Sequence, residues 1–262
     1  MTNTIRLILL STIFLFTFCA QDDEPVSPQP QEQAKTPPFG GTIFLDPDII
    51  TEADHSTFQG LVYSGRGERV MYDRRVTDWI TANVFLFDAS YDDGLGIEIQ
   101  VNPEFETEEL SLEQAEKYAE VIGRLPTALR KDVETVWIHK GVNPFGGGNN
   151  NLLIHIGQAD LYVADGILEE TFVHEASHTS LDASEAASPG WVAAQKADNW
   201  FISTYARDNP TREDVAESFL LYLAIRYRED RISESLKATI LETMPNRIAH
   251  FDQLDLDMYP IE

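Results

Sequence analysis

His174, Glu175 and His178 stand in the pattern H-E-x-x-H, directly after the mostly apolar run Gly166-Ile167-Leu168-Glu169-Glu170-Thr171-Phe172-Val173. At 3.6 residues per turn, positions i and i+4 share one helix face, so both imidazoles can reach one metal ion. Glu175 lies about 100° round from His174. Its carboxylate is then near enough to hold a water at the metal without ligating the metal. The chemistry that suits these three residues is zinc-assisted hydrolysis with a glutamate base. Ile167, Leu168, Phe172 and Val173 form a stripe that would bury such a helix. Imidazoles on a buried helix need partners. The plain alternative is a pair of histidines on a helix that caps a sheet.

A catalytic zinc wants three protein ligands and an open position. The third should come from the helical region downstream, where the chain reads Thr211-Arg212-Glu213-Asp214-Val215-Ala216-Glu217-Ser218-Phe219. Thr211 can cap a helix there, with Asp214 closing a capping box. That spacing puts Glu213 in the first turn and Glu217 one turn on, on the same face. Glu213 could instead do no more than favour the helix N-terminus through its dipole. Glu217 could orient a ligand histidine or substitute as the ligand. Asp182, four residues after His178, could accept a hydrogen bond from a ligand histidine, or be a solvated helix end. His139 and His155 sit on apolar strands and fit core histidines better than ligands. Trp137, Trp191 and Trp200 fit core or cleft wall.

The stretch from His174 to Phe219 resembles the gluzincin metallopeptidases, in which H-E-x-x-H is followed by a ligand Glu on a second helix. More narrowly, it is similar to the group containing anthrax lethal factor and the bacterial MtfA peptidases. Those carry a Tyr a few residues before a Glu that opens an E-x-x-A-E-x-F-like segment. Here Glu213 to Phe219 fits that segment, and Tyr205 stands upstream of it. The resemblance implies a zincin-like fold, Zn2+ held by His174, His178 and Glu213, and Glu175 as general base. It further implies Tyr205 as a hydrogen-bond donor to the transition state, and a peptide or protein substrate. By itself Tyr205 fits a core aromatic equally well. The Tyr205-to-Glu213 spacing is one residue longer than in those families, and the gap from His178 to Glu213 is short. Residues before 174 carry no resemblance. The rival functions are a non-catalytic metal-binding protein and a ligand-binding surface lipoprotein.

With 262 residues, 43% of them hydrophobic, the chain can build one large core. Lys and Arg number 19 against 44 Asp and Glu, for a net charge of -25. That excludes binding nucleic acid or an anionic membrane through a basic face, and weighs against acidic substrates. Residues 1–19 read as an export signal: Arg6 is the lone charge, and Leu7 to Phe18 is too short to span a membrane. The end of that segment resembles a bacterial lipoprotein signal, with Cys19 acylated after cleavage, although Phe18 replaces the expected small residue. Cleavage after Ala20 and an uncleaved anchor are the alternatives. All three place the domain outside the cytoplasm, secreted or lipid-anchored at a bacterial surface. Cys19 is the only cysteine, so the domain has no disulfide and no thiolate zinc site. Residues 20–40, acidic and rich in Pro and Gln, read as a disordered tether. Residues 41–262 then form a single zincin-like catalytic domain.

The elements that must position the site follow from pattern. Strands are expected at 42–45, 61–63, 69–72, 84–87, 97–101, 136–139 and 152–156, with a turn at Asp92-Asp93-Gly94. A helix is expected at 111–123, with Ser111 as N-cap and Gln114 at the capping-box position. Phe145 to Asn150 reads as a mobile glycine-rich loop. The strand after it, Asn151 to Ile156, is the candidate to pair with an extended peptide. Helices are expected near 167–181, 190–206, 211–228 and 231–243. Strands first and helices later give an α+β class, with a mixed or antiparallel sheet in the N-terminal half and a helical C-terminal half.

Overall fold

The computed structural model describes residues 35–45, 49–198 and 200–261. The expected export signal and most of the expected tether lie outside them. The α+β expectation holds. Six strands form one mixed sheet: β1 (Phe58–Asp73), β2 (Asp78–Tyr91), β3 (Gly96–Val101), β4 (Thr135–His139), β5 (Gly146–Gly148) and β6 (Asn151–His155), in the order β1-β2-β3-β4-β6-β5. Strands β1, β2 and β3 are antiparallel, β3, β4 and β6 parallel, and β5 runs back along β6. The parallel step from β3 to β4 needs a crossover. Helices α1 (Glu108–Ile122) and α2 (Thr127–Arg130) supply it.

The remaining helices are α3 (Ile156–Ala164), α4 (Leu168–Ser180), α5 (Asp182–Glu185), α6 (Pro189–Asp198), α7 (Thr204–Asp208), α8 (Asp214–Tyr227), α9 (Glu234–Thr243) and α10 (Pro245–Phe251). One face of the sheet carries the main core. Phe87, Ile99, Val136, Ile138, Leu152 and Ile154 from the strands are buried in it, together with Tyr118, Phe172, Phe219 and Leu221 from helices. Alternation along β3 and β4 makes this possible, because every second side chain points to the same face.

A second, smaller core of Met71, Val84 and Leu86 packs with Ile80, Ala82 and Trp137. It supports an arm. β2 pairs with β3 only from Phe85 to Ser90, so Asp78 to Val84 pair with β1 alone. Trp79 on this arm meets Trp137 edge to face at 5.5 Å. The arm ends at the turn 74–77, where Arg75 is held by Asp73 at 2.7 Å and Glu104 at 2.6 Å.

Several expected boundaries shift. The two strands at 61–63 and 69–72 are one, β1; neither face of it is deeply buried for most of its length, so its apolar alternation is weak. No strand forms at 42–45, whose backbone donors turn to carboxylates instead. Helix α1 starts earlier than expected: Thr107 is the cap, its side chain accepting from the Leu110 N–H, and Ser111 is buried inside the helix. The stretch 190–206 is two helices, α6 and α7. Helix α10 opens on Pro245, a residue suited to a first helical position. Residues 35–40, placed in the tether from sequence, lie against the domain: the Trp200 indole donates to the Thr36 carbonyl at 3.0 Å, and Phe39 bridges to Ser203.

Candidate metal centre

Helix α4 buries most of its length, including Phe172, Val173, His174, Ala176 and Ser177. Such a helix must satisfy its polar side chains internally. His174 Nε2 and His178 Nε2 lie 3.2 Å apart. Glu213 Oε2, from the N-cap residue of α8, stands 3.1 Å from the second and 3.4 Å from the first. For a tetrahedral ion with ligand bonds near 2.0–2.1 Å, neighbouring ligand atoms fall about 3.3–3.4 Å apart. The observed triangle has the dimensions of one such face.

The outer nitrogens complete the arrangement. His178 Nδ1 lies 2.8 Å from Asp182 Oδ2, and His174 Nδ1 lies 3.4 Å from Glu217 Oε1. A carboxylate beside Nδ1 favours a proton there, so that a neutral ring presents its Nε2 lone pair. Two imidazole lone pairs and a carboxylate oxygen then converge on one point, an arrangement that calls for a cation. His174, His178 and Glu213 could therefore hold a metal ion. Burial alone would lower the His178 pKa, but hydrogen bonds to Asp182 and Glu213 raise it to about 10. Burial would likewise raise Glu213, yet its bonds to the two histidines hold it well below the usual carboxylate range. Both shifts express the same demand for positive charge at this point.

Glu217 sits behind the triangle. Its Oε2 accepts from Ser203 Oγ at 2.5 Å and from the Ile43 N–H at 3.0 Å. The Leu45 N–H donates to Glu170 Oε2 at 2.6 Å. Residues 43 and 45 are thus fastened to buried carboxylates of α8 and α4, the reason this extended segment forms no strand.

In front of the triangle is a cleft of about 600 Å³ that includes Glu175, Tyr205, Asp182 and the three converging residues. Tyr205 lies on α7; burial and the adjacent Glu213 carboxylate raise its phenol to about 12. Strand β5 forms one wall, against α4. The expected mobile loop 145–150 is therefore a hairpin: Gly146 to Gly148 pair with β6, and Asn149 and Asn150 turn with φ of 52° and 58°. Positive φ at both central residues is what a two-residue I′ turn requires. β6, expected to pair with a peptide, has β4 on one side and β5 on the other. The edge strand on this side of the sheet is β5.

All seven residues singled out from sequence come to one place: His174, Glu175, His178, Asp182, Tyr205 and Glu213 line the cleft, and Glu217 stands behind it. Thr211 does not cap α8; Glu213 itself is the N-cap residue, and Glu217 N–H donates to its carbonyl at 2.9 Å. His139 and His155 lie outside the site, fully buried with rings stacked at 5.3 Å, and His139 pairs with Asn102 at 3.0 Å. The three tryptophans do not line the cleft. Sequence reasoning missed Arg74, Thr179 and Ile43. Arg74 reaches the cleft from the β1–β2 turn, and Thr179 Oγ1 joins the strands to α4, accepting from the Gly148 N–H at 2.8 Å and donating to the Asn151 carbonyl at 3.0 Å. No spacing in the chain links Arg74 or Ile43 to the histidines; Thr179, next to His178 on α4, could have been found from its helix position. Comparison with known proteins returned no family model, no curated protein and no solved structure that matches this chain.

Proposed function

We propose that this chain is a zinc-dependent metallopeptidase of the gluzincin type, with a zincin-like catalytic domain. The observation that carries the proposal is the triangle of His174 Nε2, His178 Nε2 and Glu213 Oε2, open to a cleft that also contains Glu175. Two imidazoles and one carboxylate, with no thiolate, are a donor set that suits catalytic zinc. His174, His178 and Glu213 would hold the ion. When bound, zinc supplies Lewis acidity, polarising a carbonyl and bringing the pKa of water to about 7.

Glu175 takes a proton from the attacking water and passes it to the leaving nitrogen. Tyr205, a phenol that carries its proton at neutral pH, donates a hydrogen bond to the developing oxyanion. Asp182 and Glu217 hold the two imidazoles in orientation. An extended peptide lies along β5, the edge of the sheet beside α4. The export-type segment 1–19 supports a place outside the cytoplasm, secreted or anchored through Cys19. Among the described residues no helix is long and apolar enough to cross a membrane.

Glu175→Gln tests the reaction. The variant should keep its fold and bind one zinc per chain, and lose hydrolysis of a mixed peptide library that the parent protein cleaves. Retained cleavage would remove Glu175 from the mechanism. A zinc-loaded parent that cleaves no peptide would favour a non-catalytic metal-binding protein.

A further inference from the structure

The β1–β2 arm brings to the cleft one cation that the proposed reaction does not use. Arg74 lies in the turn at the tip of the arm and lines the cleft with Glu175 and Phe145. Its Nη2 donates to the Phe145 carbonyl at 2.9 Å. A β-carbon added to Gly146 would stand 3.0 Å from the same Nη2. The guanidinium therefore rests on β5, the wall along which a peptide would lie.

Arg74 differs from its neighbour. Arg75 is committed to Asp73 and Glu104. Among the described residues no carboxylate lies within ion-pair distance of Arg74, and the Phe145 carbonyl is its hydrogen-bond acceptor. A guanidinium carries five N–H donors, so several remain for a ligand. The carboxylates of the cleft are engaged elsewhere: Glu213 with both histidines and Asp182 with His178. In the proposed reaction Glu175 is reserved for the attacking water. The chain as a whole has a net charge of -25, which would repel acidic ligands at long range. An uncommitted guanidinium on the cleft wall opposes that repulsion where contact is made.

We propose that Arg74 is a specificity-determining residue that binds a carboxylate of the peptide substrate on the β5 side of the cleft. Planar, paired N–H groups suit a carboxylate better than any neutral side chain. The carboxylate belongs to an Asp or Glu side chain or to the peptide's C-terminus; the chemistry is shared, and the test separates the two. The inference rests on the proposed function in placing a peptide along β5.

The test is equilibrium binding, so that it does not depend on turnover. Fluorescein-labelled peptides are prepared in pairs: Glu against Gln at each position in turn, and a free C-terminal acid against its amide. Fluorescence anisotropy reads their binding to zinc-loaded Glu175→Gln protein, alone and combined with Arg74→Gln or Arg74→Lys. One acid peptide should bind at least about tenfold more tightly than its neutral partner, a preference of about 1.4 kcal/mol. Arg74→Gln should bring that ratio close to one without weakening the neutral peptides, and Arg74→Lys should restore part of it. The pair that carries the preference identifies the source of the carboxylate. Equal binding within every pair, an acid preference that survives Arg74→Gln, or no binding of any peptide overturns the role of Arg74. Turnover by the parent protein is measured separately. Cleavage without acid preference removes Arg74 and leaves the reaction; an Arg74-dependent preference without cleavage does the reverse.

Discussion

A β-carbon built on Gly147 would stand 1.8 Å from the carbonyl oxygen of Glu175. The edge strand and the helix bearing the proposed base touch main chain to main chain, with no space for any side chain between them. Gly147→Ala must push β5 away from α4, and overpacking of this kind costs about 1–3 kcal/mol. For a domain of this size, about 2 kcal/mol corresponds to a fall in Tm of about 4–8 °C. Gly40→Ala is the control, since nothing lies within 4 Å of its added carbon. Equal melting temperatures for the two variants would contradict the close approach.

The converging acceptors make metal content a direct readout. Parent protein dialysed against buffer should carry about one zinc per chain, and Glu213→Ala, His174→Ala and His178→Ala should carry almost none. Asp182→Ala should keep the site but weaken it by about 10- to 100-fold, because the His178 ring loses the carboxylate that orients it. A chelator should lower the Tm of the parent and leave that of Glu213→Ala unchanged, as expected for an ion bound only by the folded state. Full zinc content in Glu213→Ala would transfer the third ligand to another residue.

Tyr205→Phe separates binding from chemistry. The phenol ring stays and its O–H is removed. If that group donates in the transition state, kcat should fall by about 10²–10³ with KM and zinc content little changed. A variant with unaltered kcat would make Tyr205 a wall of the cleft and nothing more.

Acid stability reports on the arm. The hydrogen bond from Arg75 is the largest influence on Asp73 and lowers its pKa from 3.8 to about 2. A carboxylate whose folded pKa is depressed stabilises the fold above its unfolded pKa, and that contribution fades as pH falls through the folded value. The difference in stability between the parent and Asp73→Asn should therefore be about 2 kcal/mol above pH 4 and shrink between pH 4 and 2. Urea melts at a series of pH values measure it. A difference that does not change with pH would mean that Asp73 acts by packing alone.

The helical half of the site was legible because helices encode it locally. His174 and His178 are one turn apart, and periodicity alone paired them; Glu213 was joined to them by the need for a third ligand and by the family resemblance. The strand half was not. Gly146-Gly147-Gly148 has no strand propensity; it is a strand because it pairs with β6, and a β-carbon at Gly146 or Gly147 would crowd Arg74 or the backbone of α4. Both neighbours are remote in sequence. The segment 42–45 has the composition of a strand, but Ile43 and Leu45 give their N–H groups to Glu217 and Glu170. A partner that is a side chain on a distant helix leaves no pattern in the segment that uses it. Arg74 was invisible for the same reason, being brought to the cleft by an arm whose length and direction arise from pairing.

The segment from Phe39 to Leu45 is fastened to the support of His174. Phe39 and Gly41 exchange backbone bonds with Ile202, Thr204 and Tyr205, and Ile43 bonds the carboxylate that faces His174 Nδ1. A pull on this segment is therefore resisted by the same bonds that hold Glu217 in place. Trimming of the chain past Ile43 would leave a buried carboxylate short of a donor, at a cost of about 1–3 kcal/mol, and would loosen the His174 ring without touching it. The segment 39–45 and the candidate metal centre are, in this fold, one mechanical unit.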